Sequence, residues 1–124
     1  MLHYIGSPRT PIDEKTLREW ATRDVERSYN PAGEGRHAAA ALYLNYEDRR
    51  PRLKTIKAPT VVVQGEDDPL VPLEGVRDVA ANIPGAEFRL IPGLGHVFPP
   101  AMVKDFADAI TAAASRTTRG KLAR

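Results

Sequence analysis

The stretch TVVVQGEDDPLVP, residues 60–72, decides the fold of this 124-residue chain. Its first five residues carry no charge and are almost continuously apolar, which is typical of a strand covered on both faces in a parallel sheet. Gly65 and two prolines then bracket two adjacent carboxylates, Asp67 and Asp68. A turn requires the glycine and proline but not both acids, which repel each other. We therefore interpret one acid as a functional group.

The sequence downstream predicts a β-α-β-α unit. Residues 73–82 have helical spacing of apolar residues, and residues 86–91 form a second strand-like run between two Pro-Gly pairs. A last helix is expected from about Pro99 to Ser115. Strand, helix and strand in this order imply a right-handed crossover and parallel strands, hence an α/β fold class. Two strands alone make a poor sheet, so we expect further strands beside residues 60–64.

The sequence upstream of Pro59 has a helical pattern. Asp13 is placed to cap a first helix, whose apolar face repeats every three or four residues. That face consists of Leu17, Trp20, Ala21, Val25 and Ser28. Residues 29–33 are expected to end this helix, and a second is predicted from about Arg36 to Tyr46. The predicted domains are a helical cap or lid with its linker at 1–58, a β-α-β-α core at 59–115 and a basic flexible tail at 116–124.

A histidine follows the second predicted strand, in the segment Pro92-Gly93-Leu94-Gly95-His96. The carboxyl ends of parallel strands open at the same edge of a sheet, so His96 and the Asp67–Asp68 pair can meet there. A carboxylate that accepts a hydrogen bond from Nδ1–H fixes the imidazole tautomer and leaves Nε2 free to take a proton from a hydroxyl. An imidazole suits this role because its reference pKa lies near neutral pH.

Other readings of the same residues are a structural turn aspartate, a solvated histidine and a divalent metal site. Neither His3 nor His37 has a spacing that would complete a metal shell, so no metal and no cofactor are predicted. The chain has no cysteine, which excludes disulfides and thiolate chemistry.

The composition of the chain indicates which partners and which cellular location to expect. The net charge is only +2, and the cations of residues 49–57 and of the tail are interpreted as a solvated linker and terminus rather than a nucleic-acid site. The sequence shows neither a secretion signal nor an apolar run that could span a membrane, so a cytoplasmic location is expected.

From about residue 11 to residue 114 the chain resembles the C-terminal part of an α/β-hydrolase, closest to the branch of aclacinomycin-methylesterase-like esterases and cofactor-free haloperoxidases. The segment GEDDPLVP (65–72) resembles the family's catalytic-acid segment, GLGH (93–96) its histidine loop, APTVVVQG (58–65) its lead-in strand, and residues 11–33 its lid. The resemblance implies that Asp68 is the catalytic acid, with Asp67 as the fallback, and that His96 is the catalytic base. Gln64 stands where a histidine is frequent in the family.

The nucleophile of that family is missing from the pattern. The family's serine lies in a G-x-S-x-G elbow upstream of the acid and histidine, and this chain has no such segment. Ser7, Ser28 and Ser115 lack the required context. We therefore expect little ester hydrolysis by the chain alone, and we expect it to be a fragment or a late start within a longer reading frame.

The expected partners are a small-molecule ester in the complete enzyme and either a second copy or a complementing N-terminal half. The alternative is a non-catalytic binding or assembly module that pairs its exposed sheet edge with another chain. The face formed by Leu17, Trp20, Ala21, Leu42 and Tyr43 is expected either to line an acyl pocket or to pack in the core.

Overall fold

The computed structural model describes residues 5–44 and 47–122, the side chains of residue 44 and residues 117–122 excepted. A helical half precedes a β-α-β-α half. The elements are α1 (Glu14–Arg27), α2 (Pro31–Leu44), α3 (Arg50–Leu53), β1 (Val61–Gly65), α4 (Leu73–Asn82), β2 (Glu87–Ile91), a 3-10 turn (Pro100–Met102) and α5 (Val103–Leu122).

The sheet consists of β1 and β2, paired in parallel from Val61 opposite Glu87 to Gly65 opposite Ile91. The predicted parallel pair and the incomplete sheet are thus both confirmed. No further strand lies beside the pair in residues 5–44 and 47–122. The side chains of residues 61–63 are consequently only half-buried, although their composition is that of an interior strand.

The apolar core of the described residues is small. Its buried apolar residues are Leu17, Ile83, Ile91, Leu94 and Ala109. In α1 only Leu17 is buried, while Val25 of the predicted apolar face is 57% exposed. Much apolar surface along the helices therefore remains uncovered by the described part of the chain.

The helix boundaries agree with the sequence in part. Asp13 caps α1 as predicted, because its side chain accepts a hydrogen bond from the amide of Thr16 at 2.9 Å. The second helix was predicted from about Arg36, but it begins at Pro31. Pro31 suits a first helical position, and the Asn30 side chain caps the helix by accepting from the Gly33 amide at 3.0 Å. Its predicted end at Tyr46 lies outside the described residues.

Two further segments differ from the sequence interpretation. The short helix α3 lies within the segment interpreted as a linker. The last helix continues to Leu122, past the predicted end at Ser115, and no proline interrupts residues 101–124. Arg116 pairs with Glu87 of β2, which ties this part of α5 to the sheet. The predicted flexibility of residues 116–124 stays a prediction.

Gly65 allows β1 to end directly against the loop that follows β2. A Cβ atom at this position would lie under 3.0 Å from the backbone oxygens of Leu94 and Gly95. The close approach also permits backbone hydrogen bonds from Glu66 N to Ile91 O at 3.1 Å and from Asp67 N to Leu94 O at 2.9 Å. Only glycine can hold the two loops this close together.

We expect Gly65→Ala to destabilise the fold by about 1–3 kcal/mol, because the new methyl group must push the backbone of the 92–96 loop away. Gly75→Ala is the matched control. Gly75 lies in α4 with no atom within 4 Å of a built Cβ, so alanine there should be neutral or stabilise by up to about 1 kcal/mol. Urea unfolding followed by circular dichroism measures both, and equal stability of the two variants would contradict the close approach.

Candidate functional site

Asp68 and His96 meet at the carboxyl ends of β1 and β2. The Oδ2 atom of Asp68 lies 3.0 Å from Nδ1 of His96. The Asp68 side chain is 7% exposed and the His96 side chain 42% exposed. The structure thus brings together the two predicted site residues, which are 28 positions apart, with the carboxylate sheltered and the ring open to solvent on one side.

The second oxygen of Asp68 fixes the carboxylate within its own turn. Oδ1 accepts hydrogen bonds from the amides of Leu70 at 2.8 Å and Val71 at 3.1 Å. This is an Asx-type arrangement, in which a side chain binds the backbone two or three residues further on. One carboxylate oxygen is therefore used to hold the turn while the other faces the imidazole.

Burial raises the pKa of Asp68, but the hydrogen bonds from His96 and from the Leu70 and Val71 amides outweigh this effect and leave the pKa below its ordinary value. Asp68 is therefore ionised at neutral pH. An ionised acceptor at Nδ1 favours the tautomer with the proton on Nδ1, and Nε2 is then available as an acceptor.

Gln64 stabilises the turn that carries Asp68. Its side chain is buried, and Nε2 donates a hydrogen bond to the carbonyl oxygen of Val71 at 3.1 Å. The Gln64 amide thereby closes the turn that carries Asp68. Sequence reasoning noted the position but not this contact.

The histidine loop is shaped by two glycines and by the N-terminal segment. Gly93 has φ +73°, a conformation that favours glycine. Gly95 packs against the backbone of Gly6 and Ser7, where a Cβ would not fit. The amide of His96 donates to the carbonyl oxygen of Ile5 at 2.8 Å. Residues 5–10 therefore act as a strap across this loop.

The strap also holds the acid loop, through Asp67. Its Oδ2 accepts hydrogen bonds from the Ser7 hydroxyl at 2.5 Å and from Arg9 Nε at 2.7 Å, and its Oδ1 accepts from Arg9 Nη2 at 2.5 Å. Arg9 Nη2 also pairs with Glu66 at 2.5 Å, and Thr10 donates its hydroxyl to the Gly93 carbonyl at 2.5 Å. One short segment thus ties the acid loop and the histidine loop together.

This cluster separates the roles of the two neighbouring acids. Asp68 faces His96, whereas Asp67 is engaged by Ser7 and Arg9. Ser7 is buried and donates its hydroxyl to Asp67, an arrangement that differs from a nucleophile bonded to the imidazole. Sequence reasoning missed the cluster, since nothing local in the GSPRT segment (6–10) indicates a partner about 60 positions away.

The hydrogen bonds from Arg9 and Ser7 lower the pKa of Asp67 to about 2. The hydrogen bonds of Arg9 to Asp67 and Glu66 raise the pKa of Arg9. Because the pKa of Asp67 is lower in the folded chain, its ionised form stabilises the fold above about pH 4, and this contribution is lost as the pH falls towards 2.

An apolar cleft of about 620 Å³ opens beside His96. It is lined by Ile5, Trp20, Ala21, Asp24, His96, Val97 and Phe98. Two of the residues expected to form an acyl pocket, Trp20 and Ala21, are part of this lining. Leu17 is buried in the core instead, and Leu42 and Tyr43 are 63% and 78% exposed, so they neither line this cleft nor pack in the core.

Three further observations concern metal, membrane and nucleic-acid sites. Residues 5–44 and 47–122 contain no group of three His, Cys, Asp or Glu side chains arranged to hold a metal ion. None of the helices described here is both long and apolar enough to cross a bilayer. In the basic segment at 49–57, Arg50 pairs with Asp48 at 2.9 Å and Arg52 with Glu47 at 3.2 Å.

Residues 3–99 match the family described as "alpha/beta hydrolase fold". The chain belongs to this family. Curated relatives are hydrolases: it is 34% identical over 84 residues to a 2-hydroxy-6-oxo-6-phenylhexa-2,4-dienoate hydrolase of Burkholderia cepacia. It is 46% identical over 46 residues to a poly(3-hydroxyalkanoate) depolymerase of Ectopseudomonas oleovorans.

These relatives are considerably longer than the region they share with this chain. The match to the Burkholderia enzyme covers 68% of this chain and 29% of that enzyme, and the depolymerase match covers 37% and 16%. The solved structure of a serine hydrolase involved in carbazole degradation aligns with this chain at a TM-score of 0.64 and 24% identity. The alignment covers 92% of this chain and 44% of the chain of that hydrolase. This last likeness shows the fold alone. The aclacinomycin-methylesterase-like branch is not among the proteins named here and stays a prediction.

We expect Asp68→Asn to reduce the Nδ1–H tautomer of His96, because an amide can present a donor where the carboxylate presents only acceptors. The ¹⁵N chemical shifts of the ring at a pH where it is neutral measure the tautomer. Asp67→Asn is the matched control and should leave the tautomer unchanged. An unchanged tautomer in Asp68→Asn would show that the carboxylate does not orient the ring.

A second prediction concerns the strap. Asp67→Asn should lower the unfolding temperature at pH 7, where the native carboxylate is ionised. The difference in unfolding temperature between the variant and the unaltered chain should shrink as the pH approaches 2. Asp24→Asn removes an exposed carboxylate that makes no such bonds and should change little. A constant difference for Asp67→Asn across this pH range would mean that its charge does not hold the strap.

Proposed function

We propose that this chain supplies the acid and the base of a carboxylic ester hydrolase that works by a Ser-Asp-His mechanism. The carrying observation is the Asp68 Oδ2 to His96 Nδ1 contact of 3.0 Å at the strand ends. Membership of the α/β-hydrolase family and the hydrolase relatives support the same class of reaction. This chain has no G-x-S-x-G segment. The serine nucleophile of the mechanism is therefore proposed to come from another polypeptide segment.

In the proposed mechanism Asp68 orients the His96 ring, and Nε2 takes the proton of the serine hydroxyl as its oxygen attacks the ester carbonyl. The tetrahedral intermediate then collapses, breaks the bond to the alkoxy oxygen, and receives the proton from His96 to release the alcohol. Water attacks the acyl-enzyme with the same base, which releases the carboxylic acid and restores the serine. Asp68 stays ionised throughout, consistent with its lowered pKa.

The chain by itself is proposed to be inactive. It has no G-x-S-x-G segment, and the oxyanion donors of the family lie next to that serine and in an early loop. Ser7 is committed to Asp67. Turnover therefore requires a segment that pairs beside β1, whose uncharged sequence suits an interior position better than β2, which carries Glu87 and Arg89.

An ester is the substrate class that the resemblance to methylesterases favours. The dienoate hydrolases among the relatives act on the compounds in their names, and the triad chemistry alone does not separate these reactions. Helices α1 and α2 are proposed to serve as the lid, since α1 lines the cleft beside His96.

Activity on adding the missing part tests the proposal. We expect co-expression with the serine-bearing first part of a matching relative, such as the Burkholderia cepacia hydrolase, to produce hydrolysis of p-nitrophenyl butyrate. Asp68→Asn and His96→Ala should each lower this activity by at least about 10³-fold, as expected for triad members. Asp67→Asn should retain most of it. Equal loss in all three variants would point to misfolding, and full activity in His96→Ala would refute the mechanism.

A second candidate function is a non-catalytic assembly module. It is favoured by the half-buried β1 and by the exposed apolar side chains of the helices. If the chain dimerises in light scattering and the joined halves show no hydrolysis, this candidate replaces the first.

A further inference from the structure

The cleft beside His96 has an uneven distribution of charge. Five of its seven lining residues are apolar or aromatic, and the sixth is His96. The remaining one, Asp24, is the only carboxylic acid of the lining. No described side chain forms an ion pair with it. An occupant therefore meets an apolar wall with one uncompensated negative group.

Two aromatic residues, Trp20 and Phe98, line the same cleft as this carboxylate. Trp20 stands one helical turn before Asp24 on α1, so both side chains project from the same side of the helix. Phe98 is 54% exposed, and its ring packs against Phe106 with centroids 3.9 Å apart, which limits its orientations. Aromatic faces attract organic cations, and tryptophan does so best.

We propose that this cleft binds an organic ammonium ion with an apolar body, and that Asp24 is the residue that selects it. The apolar body lies against Ala21 and Val97, and the ammonium group lies near the Asp24 carboxylate and the aromatic rings. Anionic compounds are disfavoured, because Asp24 and the nearby Asp68 present only negative charge. If the occupant is the substrate of the proposed ester hydrolase, the favoured substrate is an ester that carries an amine. Only this last statement rests on the proposed function.

This selection sets the chain apart from its dienoate-hydrolysing relatives, whose named substrates are carboxylates. A carboxylate substrate needs a cation or free donors in the pocket. The lining of this cleft includes no lysine or arginine. The strap residue Arg9 is already engaged by Asp67 and Glu66.

The chain offers a direct probe, because Trp20 is its only tryptophan. Titration with 3-phenylpropan-1-amine, 3-phenylpropan-1-ol and 3-phenylpropanoate compares a cation, a neutral compound and an anion with one apolar body. Quenching or shift of the Trp20 fluorescence measures each dissociation constant, and the indole N–H signal in NMR confirms the location. We expect the amine to bind roughly threefold to tenfold more tightly than the alcohol and the acid to bind most weakly, as suits an exposed ion pair with a cation–π contact.

Asp24→Asn should remove the preference for the amine while leaving the affinity for the alcohol unchanged. Glu26→Gln, which removes the same charge from α1 outside the cleft lining, should preserve the preference. If the acid binds as tightly as the amine, if Asp24→Asn keeps the order, or if no probe binds, the inference is wrong. The binding measurement requires no turnover. If the cleft prefers the amine but the joined halves hydrolyse no ester, the proposed function is refuted and the inference about the cleft stands.

Discussion

The parallel pairing of β1 with β2 is the constraint on which the candidate site depends. Since parallel strands end at the same edge, the loops after Gly65 and Ile91 must leave the sheet side by side. Gly65 then lets the acid loop bind the backbone of the histidine loop directly, through Glu66 and Asp67. The distance between Asp68 and His96 follows from this contact between backbones and not from attraction between the two side chains alone.

Each group of the site has its orientation set by more than one contact. Asp68 is held by two amides of its own turn, and that turn is closed by the buried Gln64. The histidine loop is held by residues 5–10, which also bind Asp67. A carboxylate with fixed orientation loses little freedom when the imidazole becomes charged, which is the condition for electrostatic stabilisation during proton transfer.

A second feature of the molecule is the apolar surface that its strand β1 and its helices leave exposed. Half-buried valines in β1 and exposed residues such as Leu42, Tyr43 and Ile110 would be costly to leave in water throughout. The described chain thus has an aspartate–histidine pair at one edge of the sheet and uncovered apolar surface elsewhere. The chain spans less than a third of the length of the curated dienoate hydrolases named above.

The sequence by itself determined the α/β class, the parallel strand pair and the capped start of α1, because these follow from local patterns. The rule that parallel strands end together placed His96 near the Asp67–Asp68 pair, and the family resemblance chose Asp68 between the two acids. It misplaced the start of α2, where Pro31 looked like a helix breaker but serves as a first helical residue. Only the tertiary structure decided that Asp67 binds Ser7 and Arg9, that Gln64 closes the acid turn, and that Trp20 and Asp24 line one cleft with His96. Those contacts join residues 7 to 76 positions apart, and side-chain pairing over such distances depends on how whole elements pack rather than on any local pattern.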